Sequence, residues 1–195
     1  MARTTADRGT NRAKLIAAAY QVLMEQGYEA ASIKEIAKAA SVAPGLVHYY
    51  FASKDELLLA VLEEAAADYA TEMRQLSADQ PPERIFPAAL AARQQRVLRQ
   101  PDRERLRYEI FALGLTNPTL RPSVARLLAT GRDGISNIIR AGAGDDMAEV
   151  AATAAVFLAA LDGLALQKLL DPDFDLARAY GVLERLARQL LAKEG

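Results

Sequence analysis

The chain has 195 residues, 51% of hydrophobic type and 25% charged, which is the composition of a folded globular protein and excludes disorder of the whole chain. It has no cysteine and a single histidine, His48. That rules out a disulfide framework, a cysteine-ligated zinc site and a thiol nucleophile, and leaves little for an imidazole metal site, so neither a metal nor a cofactor is expected. The formal net charge of -1 conceals a split: residues 1–54 carry seven basic against four acidic side chains, and the remainder seventeen against twenty-one. A basic start on an acidic body suits contact with a polyanion through the first quarter of the chain.

The first helix is read from about residue 11 to 26. Its apolar positions Leu15, Ile16, Ala19, Val22 and Leu23 repeat at helical period, and Gly27 ends it. Ser32-Ile33-Lys34-Glu35 is a capping box that opens a short second helix to about Ala40. Pro44 stands where a first-turn proline loses no hydrogen bond, giving a short third helix, 44–50. A second capping box, Ser53-Lys54-Asp55-Glu56, starts a long fourth helix running to about Leu76. Beyond Pro81-Pro82, proline and glycine punctuation divides the rest into five helices near 83–99, 102–116, 122–141, 147–170 and 173–193. Gly131 and Gly134 inside the third of these predict a kink or close packing. No alternating β-run is present, so the fold class is all-α with about nine helices.

The longest uncharged apolar run, Val150–Leu161, has 12 residues, short of the roughly 18–20 that span a bilayer. The polar, mixed-charge start leads into an apolar stretch that reads as a helix and not as a signal peptide. A cytoplasmic protein without a membrane span is therefore expected.

Three short helices with a tight connection between the second and third make a helix-turn-helix, whose later helix enters the major groove of double-stranded DNA. Lys34 and Lys54 flank that reading helix and suit phosphates on either side of the groove. Gly45 removes a side chain where the helix approaches DNA, and Pro44 and Leu46 offer apolar contact to a thymine methyl. No Arg, Asn or Gln lies between Ser41 and Ser53. The reading helix thus lacks a bidentate reader of guanine or adenine, and DNA shape, sensed by Arg3, Arg8 or Arg12 in a minor groove, is expected to contribute specificity.

The run Ser32-x3-Ile36-Ala37-x2-Ala40-x-Val42-x2-Gly45-x-Val47-x2-Tyr50-Phe51-x2-Lys54-x2-Leu57 resembles the signature of TetR-type transcriptional regulators. The nine-helix layout extends the resemblance over nearly the whole chain. Three positions depart from the pattern: Ser41 for a turn glycine, Ala43 for a capping Ser or Thr, and His48 for a tyrosine. The resemblance implies a DNA-binding domain at 1–54 and a helical ligand-binding and dimerisation domain at 55–195. It places Ser32 and Ala43 at the DNA, gives Tyr49 groove contact, and gives His48 and Tyr50 phosphate contact.

The same resemblance implies a ligand cavity and a dimer interface in the body. Cavity candidates are Phe86, Arg107, Tyr108, Phe111, Asn137 and Phe157. The last two helices suit a two-fold bundle, through Ala155, Leu158, Leu161, Leu164 and Ala165, then Leu176, Tyr180, Leu183, Leu186 and Leu190. The expected protein is a homodimeric repressor, released from a palindromic operator by a small-molecule effector. An enzyme is disfavoured, because the sequence has no Glu-x-x-His, no glycine-rich phosphate loop and no catalytic Ser/His/Asp arrangement, so no catalytic residue is assigned. A protein-binding helical scaffold is disfavoured by Lys34, Tyr49 and Lys54.

Overall fold

The computed structural model describes residues 5–78, 81–143 and 147–191. Among these the chain forms nine helices and no strand: α1 (Thr5–Ala30), α2 (Ile33–Ala39), α3 (Pro44–Tyr50), α4 (Lys54–Ala78), α5 (Pro82–Arg99), α6 (Pro101–Thr116), α7 (Arg121–Ala143), α8 (Met147–Leu170) and α9 (Leu176–Leu191). They fall into two units. One holds the residues up to Ala65 together with Arg105–Ala125, and the other Ala66–Glu104 with the residues from Arg126 onward, so that the boundaries lie inside α4, α6 and α7.

In the first unit the α1 stripe Leu15, Ile16, Ala19, Val22 and Leu23 is buried to 4% exposure or less, as are Ile36, Ala37, Val47, Phe51, Leu57 and Leu58. Each large side chain removed from water contributes about 1.5–3 kcal/mol against the entropy of ordering it. The expected end of α1 needs refinement. Gly27 does break the helix, at φ 76 and ψ 172, but Ala31 N–H then reaches Gly27 C=O at 3.2 Å and closes one more turn. At its other end α1 begins at Thr5, earlier than the apolar periodicity indicates.

The capping box of α2 is formed as the sequence predicts. Glu35 N–H donates to Ser32 Oγ (3.2 Å) and Ser32 N–H to Glu35 Oε2 (3.0 Å). The helix ends in a Schellman motif, with Val42 N–H on Ala37 C=O (2.9 Å) and Ser41 N–H on Lys38 C=O (3.0 Å). That geometry puts Ser41 at φ 56, a left-handed conformation costing a residue with a Cβ roughly 1–2 kcal/mol. Part of the relief offered by glycine is lost to its greater freedom in the unfolded chain. Ser41→Gly is expected to stabilise the protein by about 1 kcal/mol, or about 2–4 °C in Tm for a chain of this size. A Tm that stays put or falls in a thermal melt refutes this.

α4 opens with Glu56 N–H on Ser53 Oγ (3.1 Å), although the Glu56 carboxylate returns to Ala52 N–H (2.6 Å) instead of the cap residue's own amide. In the second unit α5 and α8 pack on α9. Arg93 of α5 is held between Glu104, which is 2% exposed, and Asp162 at 3.5 Å. The guanidinium pKa stands above its usual value even though burial opposes the charge, because Glu104 accepts its hydrogen bond and both carboxylates attract it. Tyr180 beside them is pushed up to about 12, mainly by burial.

Of the two glycines expected to kink or pack closely, Gly131 packs closely: a Cβ there would meet Leu158 Cδ1 at 3.2 Å, whereas one at Gly134 would meet only ordinary contact with Tyr69 at 3.6 Å. α7 runs on through both. A Cβ at Gly114 would lie 2.8 Å from the Val124 side chain. Gly134→Ala is therefore expected to gain up to about 1 kcal/mol from helix propensity, and Gly114→Ala to lose about 1–3 kcal/mol to overpacking. Denaturant melts that reverse this order would refute the packing assigned to them.

α9 starts at Leu176, three residues later than the punctuation suggests. Asp173 N–H turns onto Asp171 Oδ1 (2.9 Å), and Asp175 Oδ1 accepts Arg178 N–H (2.9 Å) in the capping position. α8 is long and apolar enough to cross a membrane by length and composition. The 12-residue uncharged run does not reveal such a helix, because Asp162 interrupts the count. Within the second unit Asp162 is paired with Arg93, and Val150, Ala154, Phe157, Leu158 and Ala165 of α8 are buried while Val156, Leu166 and Leu170 stay exposed.

Candidate nucleic-acid interface

The seven residues of α3 present two faces, because a helix returns to the same side every three to four residues. Val47 and Phe51 point into the core at 0% and 2% exposure. Pro44, Gly45, His48 and Tyr49 are exposed on the other side, with Ala43 before them, and Leu46 and Tyr50 are half-buried between. Tyr49 is 63% exposed, an unusual position for a large aromatic, and its ring meets that of Tyr50 edge-on at 5.0 Å. The hydroxyl of Tyr50 is covered and has no hydrogen-bond partner among the described residues, so it must emerge before it can touch a phosphate. The helix lacks a side-chain cap: Ala43 adopts the extended cap conformation, φ -69 and ψ 142, with no side-chain acceptor to offer. Gly45 has open space around it, and a methyl group at its Cα would find nothing within 4 Å.

Lys34 and Lys54 stand on the helices before and after α3. Lys34 is exposed in the first turn of α2. Lys54, the first residue of α4, holds its Nζ 4.2 Å from the centre of the Tyr28 ring and donates to Glu29 C=O at 3.4 Å. Ser32 is spent on the α2 cap, since its hydroxyl also donates to Glu35 Oε2 at 2.8 Å. Of the three arginines read as minor-groove probes, Arg3 and the side chain of Arg8 lie outside the described residues. Arg12 is exposed, with its guanidinium 5.4 Å from the centre of the Phe51 ring at the end of α3.

A support that sequence reasoning does not find lies behind Lys54. Tyr28 N–H donates to Glu109 Oε2 at 3.0 Å, the Tyr28 hydroxyl donates to Asp55 Oδ1, and Asn117 Nδ2 donates to Asp55 Oδ2 at 3.0 Å. The Tyr28 hydroxyl is held above its usual pKa by partial burial and by the Asp55 carboxylate. No local signal marks this cluster, because Tyr28 and Glu109 are 81 residues apart.

The cavity candidates separate into two groups. Phe86 and Phe157 meet edge-on at 5.2 Å in the second unit, whereas Arg107 lies 4.8 Å from the Phe111 ring centre and Tyr108 meets Phe111 at 6.1 Å in the first. Asn137 is exposed and accepts from Arg140 at 3.0 Å. The dimer candidates divide by burial. Leu158, Ala165, Leu176, Tyr180 and Leu183 are buried within the chain, Leu161 and Leu164 are half-buried, and Ala155, Leu186 and Leu190 are exposed. Exposed beside the last three are Val156, Leu166, Leu170 and Val182.

Residues 15–61 match the family of bacterial regulatory proteins of the tetR type, and residues 82–193 match the tetracyclin repressor-like C-terminal domain. The chain belongs to the TetR family. The first match takes in α2, α3 and the start of α4, where the exposed face and its flanking lysines lie. Among curated relatives, BetI, an HTH-type transcriptional regulator of Rhizobium meliloti, is 45% identical over 51 residues, 26% of this chain and 25% of BetI. The HTH-type transcriptional activator FasR of Mycolicibacterium smegmatis is 38% identical over 68 residues, 35% of this chain and 31% of FasR. The chain thus matches about a quarter to a third of the length of such relatives.

A transcriptional regulator from Rhodococcus sp. Rha1 superposes with a TM-score of 0.73 and 28% identity, over 91% of this chain and 96% of that one. FadR of Bacillus subtilis, solved with stearoyl-CoA, shares the fold at a TM-score of 0.74 and 18% identity, over 92% of this chain and 97% of FadR. TetR-family proteins, to which this chain belongs, are DNA-binding transcriptional regulators and not enzymes.

Proposed function

We propose that the protein is a homodimeric, cytoplasmic repressor that reads a near-palindromic operator and is released from it by a small molecule. The observation that carries this reading is the exposed face of α3, bare at Gly45, aromatic at Tyr49, and flanked by Lys34 and Lys54. Such a face gains little from water and is shaped for a groove bounded by phosphates. Residues 1–54 serve as the reader and 55–195 as the effector-binding and dimerisation body. Ser32, Ala43 and Leu46 border the groove, while His48 and Tyr50 approach phosphate.

Dimerisation is supported by the apolar surface left uncovered on α8 and α9. Ala155, Val156, Leu166 and Leu170 recur on one side of α8, and Val182, Leu186 and Leu190 on one side of α9. Exposed leucines in such number on two neighbouring helices favour a self-complementary four-helix bundle across a two-fold axis. The axis sets the two readers roughly 34–36 Å apart, one turn of duplex. The aromatic pair Phe86 and Phe157 supplies an apolar wall for the effector, which acts by favouring a conformation in which the reader spacing misfits the operator.

Selection of the protein on randomised duplex at near-physiological salt tests the reading. A recovered palindrome, bound with an affinity that falls steeply with salt, is the expected result. Failure to enrich any sequence, repeated after unfolding and refolding to remove a copurified ligand, would sink it.

A further inference from the structure

We propose that Glu109, far from the reading helix in sequence, is a positioning residue for DNA binding, acting through Tyr28 on Lys54. The proposal rests on the reading of Lys54 as a phosphate contact. The path consists of three contacts inside one unit of the fold. The Glu109 carboxylate accepts the Tyr28 backbone N–H at 3.0 Å. The Tyr28 ring then lies beneath the Lys54 ammonium at 4.2 Å. Finally, the Tyr28 hydroxyl and Asn117 both donate to Asp55, the residue after Lys54, the latter at 3.0 Å.

The site is shaped for that carboxylate. Gly27 adopts φ 76, and a Cβ there would come within 2.9 Å of Glu109 Oε2. The missing side chain therefore does two things at once: it permits the break in α1, and it leaves the space in which Glu109 reaches the amide exposed by that break. Lysine is a flexible point charge that loses side-chain entropy when a phosphate fixes it. A cation resting on an aromatic face and on the Glu29 carbonyl has lost part of that entropy before DNA arrives. Removing Glu109 releases the α1 corner, moves the ring, and returns Lys54 to solvent.

The test uses the full-length protein and the duplex recovered by selection, with affinity measured from low to high salt. Glu109→Ala is expected to weaken binding about tenfold and to reduce the slope of log K against log salt by about 0.9 per protomer, the amount carried by one phosphate contact. Lys54→Ala is expected to do the same, and the double variant to be no weaker than the worse single variant by more than about threefold. Glu109→Gln keeps an oxygen for the Tyr28 amide and should stay within about threefold of the parent. Tyr28→Leu keeps the amide but removes the ring. It should reproduce the loss of slope, and it supplies the readout if Glu109→Ala fails to fold.

An unchanged salt slope in the variants, or additive losses for Glu109→Ala and Lys54→Ala, would overturn the proposal while leaving the DNA-binding reading intact. A parent protein that enriches no duplex would overturn both.

Discussion

Gly45→Ala is expected to make the protein more stable and to weaken its binding to DNA by at least about thirtyfold. Glycine inside a helix costs about 0.5–1 kcal/mol relative to alanine. Nothing among the described residues requires it at this position, since a methyl group there would meet none of their atoms within 4 Å, and the residue lies in a helix without a positive φ. A destabilising residue with no internal reason is explained by an external one, the close approach of another surface. A methyl wedged into a tightly packed contact costs about 1–3 kcal/mol. A dimer makes that contact twice, about 2–6 kcal/mol in all, which gives about thirtyfold or more. The check is a thermal melt beside a titration of the selected duplex. An alanine variant that binds within threefold of the parent would mean that α3 does not approach DNA by this face.

Placing a carboxylate on each of the uncovered apolar faces, Leu166→Glu with Leu186→Glu, is expected to give a folded monomer whose affinity for the palindrome is about 10²–10⁴ lower. These leucines are 39% and 50% exposed within one chain, so the substitutions leave its own core in place. In a two-fold bundle each glutamate faces apolar surface or its own copy and must be desolvated without a partner. Loss of the dimer turns two linked binding events into one, and the effective concentration of the second reader disappears. Sedimentation with far-UV circular dichroism separates the outcomes. A double variant that remains dimeric would place the interface elsewhere. The same exchange at Leu176 or Leu183 would test nothing of the kind, because those side chains are buried within the chain at 2% and 8% exposure.

The contrast between those leucines shows where periodicity stops being informative. On α9 the heptad-like spacing of apolar residues marks a helix correctly, yet it covers two faces. Leu176, Tyr180 and Leu183 turn into the chain's own core, and Leu186 and Leu190 turn out of it. α8 is apolar nearly all round, so its pattern distinguishes the faces even less. The cavity candidates meet the same difficulty: aromatic residues on middle helices are identifiable as a set, but their sorting into Phe86 with Phe157 and Tyr108 with Phe111 depends on how helices pack.

What the sequence determined by itself is local chemistry and register. The Ser32 and Ser53 caps, the break at Gly27 and the proline at the start of α3 all follow from hydrogen-bond demand and helical geometry within a few residues. The tertiary structure alone decided which of two apolar faces is covered, what fills the space beside Gly27, and what stands behind Lys54. Each of these depends on a partner distant in the chain, as Glu109 is from Tyr28. Such partners leave no periodic trace, because a single long-range contact constrains one residue and not a repeating position.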